Sequence, residues 1–312
     1  MLNYQLKDKV ATRQAYGQAL VEMGKKHNQL VVLDAGVSNS TYTQLFRQKY
    51  PERYLPMFIA EQNMVGVAVG LAKRGLIPFL STFAAFLTRA HDQLRMASYS
   101  NANLKICGSH CGVSIGQDGV SQMGLEDLAM FRSLYGATVL YPSDAVSTVK
   151  LVELAYSIPG LVYLRTTRQP LTVIYDLQTE FAVGNVKIVK KSESDKIAVL
   201  AAGITLHETL AAYEKLQTQG IKIRVIDVYC LEPLNVKNLM QALKGINKIL
   251  TVEDHYREGG LGETVASVLK SKNYLIKSLS VNKLPQSGLP AALLADEEID
   301  REAIIKAVKA LI

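Results

Sequence analysis

The sequence predicts an α/β protein of two domains, each a mainly parallel sheet flanked by helices. Short runs rich in β-branched residues alternate with segments of helical periodicity, which is typical of parallel strands connected by helices. The runs are almost continuously apolar, as expected for strands buried on both faces. The chain length of 312 residues suits two domains better than one.

A polar stretch near 176–195 divides the predicted elements into two groups. It contains the charged sequence KKSESDK, and an edge hairpin is predicted within it at 181–189. The predicted domains are therefore 1–178 and 190–312. The predicted strands are 30–34, 76–80, 104–107, 138–141, 161–164, 197–202, 221–228, 248–252 and 275–281, and the predicted helices include 12–26, 61–74 and 205–219.

Composition and charge narrow the function classes. The net charge is +7, but the basic residues are scattered and form no stripe with aromatic residues, which argues against nucleic-acid binding. An anionic small substrate or an acidic partner chain fits the excess better. Three cysteines, Cys107, Cys111 and Cys230, are too few and too irregularly spaced for a disulfide framework or a zinc site.

Targeting signals also bear on where the protein works. The N-terminus MLNYQLKDKV has no apolar core typical of a secretory signal. No stretch approaches the ~18 consecutive apolar residues of a membrane-spanning helix. The sequence therefore predicts a cytoplasmic protein.

Glu61 is the first candidate functional residue. It begins the helical segment IAEQNMVGVAVGLA, in which small residues predict close packing against another element. A carboxylate on such a face would be shielded from water and suited to proton exchange. An acidic residue that complements the helix dipole explains the position equally well.

Two glycine-bearing segments follow predicted strands. The segment 108–122, GSHCGVSIGQDGVSQ, lies where open α/β sheets bind ligands, and it carries His110 and Asp118. These side chains could serve a polyol as donor, acceptor or proton carrier, although a surface loop is an equal alternative. The second segment, 251–263, contains His255 and resembles either a phosphate-cradling turn or a simple glycine turn before a helix.

Aromatic and basic residues supply two further hypotheses. Phe83 and Phe86 are three residues apart, which is typical of a core stripe and less often of stacking on a heteroaromatic ring. Arg13, Arg165 and Arg168 lie near the ends of predicted elements, where arginine is suited to phosphate. Each arginine alone is equally consistent with a solvated surface.

Taken together, these segments resemble transketolase, specifically its pyrimidine-binding and C-terminal domains. The resemblance runs along nearly the whole chain, with Gln122 at a position where other transketolases carry histidine. Its ordered blocks are VATRQAYGQAL (10–20), FIAEQNMVGVAVG (58–70), STFAAFLTRAHDQLRMA (81–97), GSHCGVSIGQDGVSQMGLEDLAMFRS (108–133), YPSD (141–144), LRTTRQP (164–170), TVEDHYREGGLGE (251–263) and SVNKLPQSGLP (280–290).

The resemblance implies a thiamin diphosphate cofactor and assigns residues to it. Glu61 matches the glutamate that hydrogen-bonds N1′ of the aminopyrimidine and promotes its imino tautomer. Phe83 and Phe86 match the aromatic pocket around that ring. Arg89 stands where some relatives carry tyrosine, and we include it among the expected cofactor contacts.

The resemblance also assigns the substrate contacts. His110, expected to be catalytic with Glu61, matches a residue that contacts the carbonyl and hydroxyl groups of a sugar, as does Asp118. Positions that bind the sugar phosphate match Arg13, Ser38 and Arg168. The implied reaction transfers a two-carbon ketol unit from a ketose phosphate to an aldose phosphate, as in the pentose phosphate pathway.

A complete transketolase also carries a diphosphate-binding domain, marked by GDG and a later Asn that hold Mg²⁺. This sequence lacks that motif. We therefore expect a partner subunit that supplies the diphosphate and Mg²⁺ site, self-association through both domains of this chain, and an α2β2 heterotetramer.

Three alternatives remain at this point. The chain could be the β-subunit of a 2-oxo acid dehydrogenase first component, which shares the domain plan. It could belong to a split transketolase for an unusual sugar such as apulose 4-phosphate. It could also be a scaffold subunit without catalysis, against which the joint presence of Glu61, His110, Asp118 and Arg168 argues.

Overall fold

The structure, a computed structural model, describes residues 2–270 and 273–312. Within these residues the chain forms parallel-dominated sheets flanked by helices, which confirms the predicted α/β class. The strands are β1 (Lys9–Ala11), β2 (Leu30–Asp34), β3 (Tyr54–Pro56), β4 (Ile77–Phe83), β5 (Lys105–Ser109), β6 (Thr138–Leu140), β7 (Val162–Arg165), β8 (Pro170–Thr172), β9 (Lys187–Lys190), β10 (Ile197–Ala201), β11 (Ile223–Asp227), β12 (Cys230–Glu232), β13 (Lys248–Tyr256) and β14 (Leu275–Val281).

The helices connect the strands and cover the sheets. Among the described helices, none has the length and the apolar character needed to cross a membrane. The α-helices are α1 (Thr12–Lys26), α2 (Ser38–Thr41), α3 (Gln44–Lys49), α4 (Glu61–Lys73), α5 (His91–Tyr99), α6 (Asp127–Arg132), α7 (Ala145–Ser157), α8 (Ile204–Thr218), α9 (Val236–Ala242), α10 (Leu261–Leu269), α11 (Pro290–Asp296) and α12 (Arg301–Leu311), and the 3₁₀ segments are Pro51–Arg53, Ala84–Ala90, Val113–Ile115 and Val120–Gln122.

The larger sheet has the strand order β12-β6-β7-β5-β4-β2-β3. Its strands are parallel except β12, which pairs antiparallel with β6 at one edge. Every residue of β2, β5 and β7 is buried, as expected for strands covered on both faces. The carboxyl ends of the central strands meet at one edge, where Phe83 lies in register with Ser109.

The second large sheet has the order β14-β13-β10-β11-β9, with β9 as an antiparallel edge strand. The predicted hairpin at 181–189 was wrong, because among its residues the structure places strand pairing only from Lys187 onward. Phe181 instead packs edge-on against Tyr175 and Tyr229, with ring centroids 5.2 and 4.8 Å away. Phe181 therefore packs against aromatic side chains from both halves of the chain.

The two halves share one continuous apolar core. A single buried cluster contains Tyr163 from the larger sheet together with Leu200 and Leu261 from the second half. The strand β12 follows the second sheet's β11 in the chain yet pairs with the larger sheet. The boundary between the predicted domains 1–178 and 190–312 stays a prediction, because strand β12 pairs across it and one apolar cluster contains residues from both sides of it.

Candidate active site

The carboxyl edge of the larger sheet is joined to the start of α1. The Thr12 hydroxyl accepts a hydrogen bond from the backbone N–H of Thr167 at 2.8 Å and lies 3.1 Å from the Thr167 hydroxyl. Both threonines are fully buried. This link brings Arg13, at the start of α1, beside Arg168, just after β7.

Arg13 and Arg168 form the basic part of the site. Arg13 donates from Nη1 to the carbonyl of Ser40 at 2.8 Å and from Nε to the carbonyl of Arg168 at 3.3 Å. Arg168 donates from Nη1 to the Ile115 carbonyl at 2.8 Å and to Asp118 Oδ1 at 3.0 Å. The side chains of Arg168 and Asp118 are 32% and 30% exposed, so this ion pair is open to a ligand.

His110 lies beneath these charges. Its backbone has a left-handed φ of 59°, and Nδ1 lies 2.9 Å from the Ser109 hydroxyl. Its ring stacks on Phe83 with centroids 3.8 Å apart. Burial, followed by the charges of Arg13 and Arg168, lowers the pKa of His110 to about 3. The imidazole is therefore neutral near pH 7 and can both donate and accept a hydrogen bond.

A row of stacked groups extends from His110 to Glu61. The rings of Phe83 and Phe86 are stacked with centroids 5.1 Å apart. The Arg89 guanidinium lies 4.6 Å from the Phe86 ring centroid and donates from Nη1 to Glu61 Oε1 at 2.7 Å. The row thus connects an acidic group, an aromatic surface and a neutral imidazole.

Glu61 combines burial with a nearby opening to solvent. Its side chain is 3% exposed at the start of α4, yet it lines a pocket of about 400 Å³ together with Ile59 and Arg89. Phe58 and Ile59, just before it, are 73% and 81% exposed. Two large apolar side chains in water beside a buried carboxylate are typical of a surface that another molecule covers.

The structure places the backbone carbonyl of Ser40, and no atom of Ser38, within hydrogen-bond distance of Arg13. The side chain of Ser38 hydrogen-bonds that of Tyr54. Burial raises the pKa of Tyr54, and this hydrogen bond lowers it in part. Sequence reasoning missed Ser40, although both serines lie in the same short turn. The sequence carried no signal for this contact, because Arg13 binds the backbone carbonyl of Ser40, a group that every residue has.

A buried carboxylate fixes that turn. Asp34, the last residue of β2, accepts hydrogen bonds from a backbone N–H and two hydroxyl groups that follow it. The donors are the N–H of Val37 at 2.7 Å, the hydroxyl of Thr41 at 2.7 Å and the hydroxyl of Thr43 at 2.8 Å.

Arg165 lies apart from the candidate site. It is fully buried and donates from Nε to Asp127 Oδ2 at 2.8 Å and from Nη2 to Asp127 Oδ1 at 3.1 Å. Burial alone would lower the pKa of Arg165, but the Asp127 carboxylate outweighs it and raises that pKa. The hypothesis of a phosphate contact therefore does not apply to Arg165.

His255 also lies away from the site. It is fully buried, its Nε2 accepts from the N–H of Leu128 at 3.2 Å, and its Nδ1 lies 2.5 Å from the Tyr256 carbonyl. Burial lowers the pKa of His255 to about 4, so the ring is neutral. The histidine is a cap at the start of α6, and the phosphate-cradling interpretation does not hold for it.

Comparisons with known proteins agree with the resemblance. The family model for the transketolase pyrimidine-binding domain matches residues 8–173, and the model for the transketolase C-terminal domain matches residues 184–304. Transketolase of Homo sapiens is 50% identical over 99% of this chain and 50% of its own length. Transketolase-like protein 1 of Bos taurus is 47% identical over 99% of this chain and 52% of its own length. The chain thus spans about half the length of these curated relatives.

Two solved structures were compared with the fold. One, described as a split gene transketolase in an inactive β4 tetramer, superposes with a TM-score of 0.88 at 36% identity, covering 97% of this chain and 98% of that chain. The transketolase from Leishmania mexicana superposes with a TM-score of 0.85 at 20% identity, covering 100% of this chain and 46% of that chain. The second comparison bears on the fold alone.

Proposed function

Because the chain belongs to the transketolase family, we propose that it is the C-terminal subunit of a split transketolase. With a partner chain it transfers a two-carbon ketol unit from a ketose phosphate to an aldose phosphate. Similarity to a split-gene transketolase along almost the full length of both chains supports this proposal. The comparisons favour neither a 2-oxo acid dehydrogenase subunit nor a transketolase for an unusual sugar.

The observation that carries the proposal is the row of contacts from Glu61 to His110, with Arg13 and Arg168 near enough to lower the pKa of His110. It places a buried carboxylate, two stacked phenyl rings, a neutral imidazole and a basic pair in sequence along one edge of the sheet. Such an order suits a flat heteroaromatic ring at one end and a phosphorylated sugar at the other.

The residues near Glu61 fit the pyrimidine of thiamin diphosphate. A carboxylate shielded from water can hydrogen-bond a ring nitrogen strongly, and Phe83 and Phe86 offer a flat aromatic surface. Arg89 engages one oxygen of Glu61, and we assign the other oxygen to the pyrimidine. When bound, thiamin diphosphate supplies the electron sink for cleavage of a carbon–carbon bond.

The opposite end of the row would hold the sugar phosphate. Arg13 and Arg168 supply guanidinium donors, whose geometry matches phosphate oxygens. A phosphate can displace Asp118 from Arg168, which frees that carboxylate to accept hydrogen bonds from sugar hydroxyl groups. Neutral His110 can then donate to a carbonyl oxygen or accept from a hydroxyl without a change in charge.

A second chain would cover the Glu61 end of the site. Gly66 and Gly70 lie exposed on α4, and a Cβ added to either would meet nothing within 4 Å. A mid-helix glycine costs about 1 kcal/mol relative to alanine, so close approach of another chain explains this face. We assign it, with Phe58 and Ile59, to a partner subunit that holds the diphosphate and Mg²⁺ in an α2β2 assembly.

We place this reaction in the cytoplasm and in the pentose phosphate pathway. All three cysteines are unpaired and buried thiols, which a reducing compartment preserves. Fractionation of the source cells, with ketol transfer measured in each fraction, tests the location.

The central experiment is co-expression of this chain with a candidate diphosphate-binding partner. We expect the purified pair to transfer a ketol unit from xylulose 5-phosphate to an aldose phosphate, dependent on thiamin diphosphate. Loss of general acid–base function typically costs 10²–10⁴-fold, so we expect Glu61→Gln to lower kcat by about that factor. Glu153→Gln, at a partly exposed position of α7, is the control and should leave kcat unchanged.

Other outcomes would identify the alternatives. Pyruvate decarboxylation without ketose turnover would favour a 2-oxo acid dehydrogenase subunit. Preferential turnover of another ketose phosphate in a substrate panel would indicate an unusual sugar. Unchanged ketol transfer by Glu61→Gln would overturn the catalytic role and leave a scaffold subunit.

A further inference from the structure

Strand β13 ends in three consecutive buried side chains that each accept backbone N–H groups from the start of a helix. The three are Glu253, Asp254 and His255. Successive strand residues point to opposite sides, so one strand end can reach helices in different directions. The donors are Leu261 and Gly262 for Glu253, Val113 at 2.7 Å and Ser114 at 3.3 Å for Asp254, and Leu128 at 3.2 Å for His255.

Glu253 and Asp254 bind different parts of the chain. Glu253 acts within the second half of the chain, because its donors begin α10. Asp254 reaches about 140 residues back along the chain, to the 3₁₀ turn Val113–Ile115. That turn begins three residues after His110, and its last residue supplies the carbonyl that binds Arg168.

The approach of Asp254 to this turn is close. A Cβ on Gly112 would lie 2.0 Å from Asp254 Oδ2, and Gly112 has a φ of 78° that favours glycine. Carboxylates that accept backbone N–H groups form strong, charge-assisted hydrogen bonds. The carboxylate therefore fixes the backbone immediately after His110.

A second segment of the same half contacts the far end of the loop. A Cβ on Gly116 would lie 3.1 Å from the Pro290 ring, and a Cβ on Gly119 would lie 2.8 Å from Ser287 Oγ. Residues 110–119, which carry His110 and Asp118, are thus held at both ends by the C-terminal half. We call this stretch the clamped loop.

We propose that Asp254 is a positioning residue, which acts through the backbone of Val113 and Ser114 to hold His110 and Asp118 at the spacing that a sugar phosphate requires. The C-terminal half thereby sets substrate affinity without touching the substrate. This inference rests on the proposed function for its kinetic consequence, but the clamp itself is a property of this chain alone.

Glu253 provides a matched control for Asp254. Both are buried carboxyl groups on the same strand, and each accepts two backbone N–H groups at the start of a helical turn. The match is in position and hydrogen bonding rather than in charge, because burial raises the pKa of Glu253 to about 8. Asp254→Asn and Glu253→Gln each replace one acceptor oxygen with an N–H₂ donor. Urea unfolding measures the general loss of stability in each variant, and we expect loosening of the clamped loop only in Asp254→Asn.

Hydrogen exchange of the isolated chain tests the clamp without reference to activity. We expect amides of residues 110–119 to exchange at least about tenfold faster in Asp254→Asn than in the unchanged chain. Glu253→Gln should accelerate exchange at 261–263 and leave 110–119 unchanged. Equal protection of 110–119 in all three proteins would overturn the clamp.

Kinetics of the reconstituted pair test the functional consequence. We expect Asp254→Asn to raise KM for the ketose phosphate about tenfold with kcat within about threefold, because the loop binds substrate. Glu253→Gln should leave KM within about twofold. Equal KM changes in both variants, or none in Asp254→Asn, would overturn the positioning role. Absence of ketol transfer by the unchanged pair would instead refute the proposed function, and hydrogen exchange would still decide the clamp.

A milder variant covers the case in which Asp254→Asn does not fold. Pro290→Ala loosens the clamped loop from its other end without disturbing a buried charge. We expect KM to rise in the same direction by a few-fold. An unchanged KM together with unchanged exchange at 110–119 would overturn the inference.

Discussion

Two arginines three residues apart at the end of β7 occupy opposite environments. Arg165 is fully buried at the seam between the two halves of the chain, where it pairs with Asp127 and donates to the carbonyls of Gly124 and Asp254. Arg168 is about one-third exposed, and its partner Asp118 is equally open to water. The same residue type therefore joins the two halves of the chain at position 165 and is available to a ligand at position 168.

The difference extends to the surroundings of each arginine. At the seam, Asp127 also accepts a hydrogen bond from the Tyr163 hydroxyl at 2.6 Å. At the site, His110 and Phe58 have left-handed φ values of 59° and 52°, which cost free energy and recur at functional sites. Changes at the seam should therefore affect folding, and changes at the site should affect substrate binding.

The largest expected effect is on the seam arginine. Breaking a buried ion pair leaves an uncompensated charge, so we expect Arg165→Gln to lower the free energy of unfolding by about 3–5 kcal/mol. Arg168→Gln, the same change in a partly exposed pair, should lower it by less than about 1 kcal/mol. Urea unfolding followed by circular dichroism measures both. Equal losses would show that the two environments do not differ in this way.

A second test of the seam uses pH. Burial lowers the pKa of His255 in the native protein to about 4. Between pH 6.5 and 4 this side chain is therefore neutral in the native protein, whereas a histidine with a pKa near 6.5 is protonated in the unfolded chain. Unfolding then binds a proton, and the free energy of unfolding falls as the pH drops from 6.5 towards 4. At about 1.4 kcal/mol per pKa unit, the contribution is on the order of 2 kcal/mol near pH 4.5.

Replacement of that histidine isolates its share from those of the other groups. His255→Gln keeps a polar side chain near the Leu128 N–H but does not titrate. We expect this variant to be less stable than the unchanged chain at pH 7, with the difference narrowing as the pH falls to 4.5. A difference that is constant across this range would mean that His255 is not held neutral in the native protein.

Replacement of Arg168 should weaken substrate binding and leave stability almost unchanged, the opposite of what we expect for Arg165. A charge-assisted hydrogen bond contributes about 1.5–3 kcal/mol, so we expect Arg168→Gln to raise KM for the ketose phosphate roughly 10–100-fold in the reconstituted pair. The corresponding change in melting temperature should be small. An unchanged KM would mean that the phosphate binds elsewhere. If Arg168→Gln failed to fold, Arg168 would be a structural residue like Arg165.

The sequence predicted the fold class and the main strands because burial on both faces leaves continuous apolar runs. Helix α1 and strand β2 match the predicted ranges 12–26 and 30–34. Strands β1, β3, β8 and β12 were not predicted, since each is only partly buried and leaves no continuous apolar run. The equally short β6 is buried throughout and was predicted. Strand β13 continues to Tyr256, past the predicted end at 252, because its polar residues are buried among helix starts rather than exposed.

The candidate site could be predicted as a set of residues but not as an arrangement. The resemblance named Glu61 and His110, which the structure places at the two ends of one row, and Arg168, whose charge lowers the pKa of His110. Placement at the ends of predicted elements could not separate Arg165 from Arg168, because the burial of Arg165 depends on Asp127, which lies far from it along the chain. The role of Asp254 was not predicted, because the N–H groups that it binds lie about 140 residues away in the sequence.

The smallest expected effect concerns the exposed glycine face of α4. Alanine is favoured over glycine within a helix by up to about 1 kcal/mol, and a Cβ on Gly66 would meet nothing within 4 Å. We therefore expect Gly66→Ala to stabilise the isolated chain by roughly 0.5–1 kcal/mol. If another chain packs closely on this face, the added methyl group should weaken assembly with the partner.

Opposite signs for folding and assembly are what make this variant informative. Urea unfolding of the isolated chain and titration of the partner by sedimentation should show a more stable chain that binds less tightly. Gln217→Ala, at an exposed position of α8, is the control and should leave partner binding unchanged. A stabilised chain with undiminished partner affinity would show that the glycine face lies outside the assembly, and the open end of the Glu61 pocket would then require a different cover.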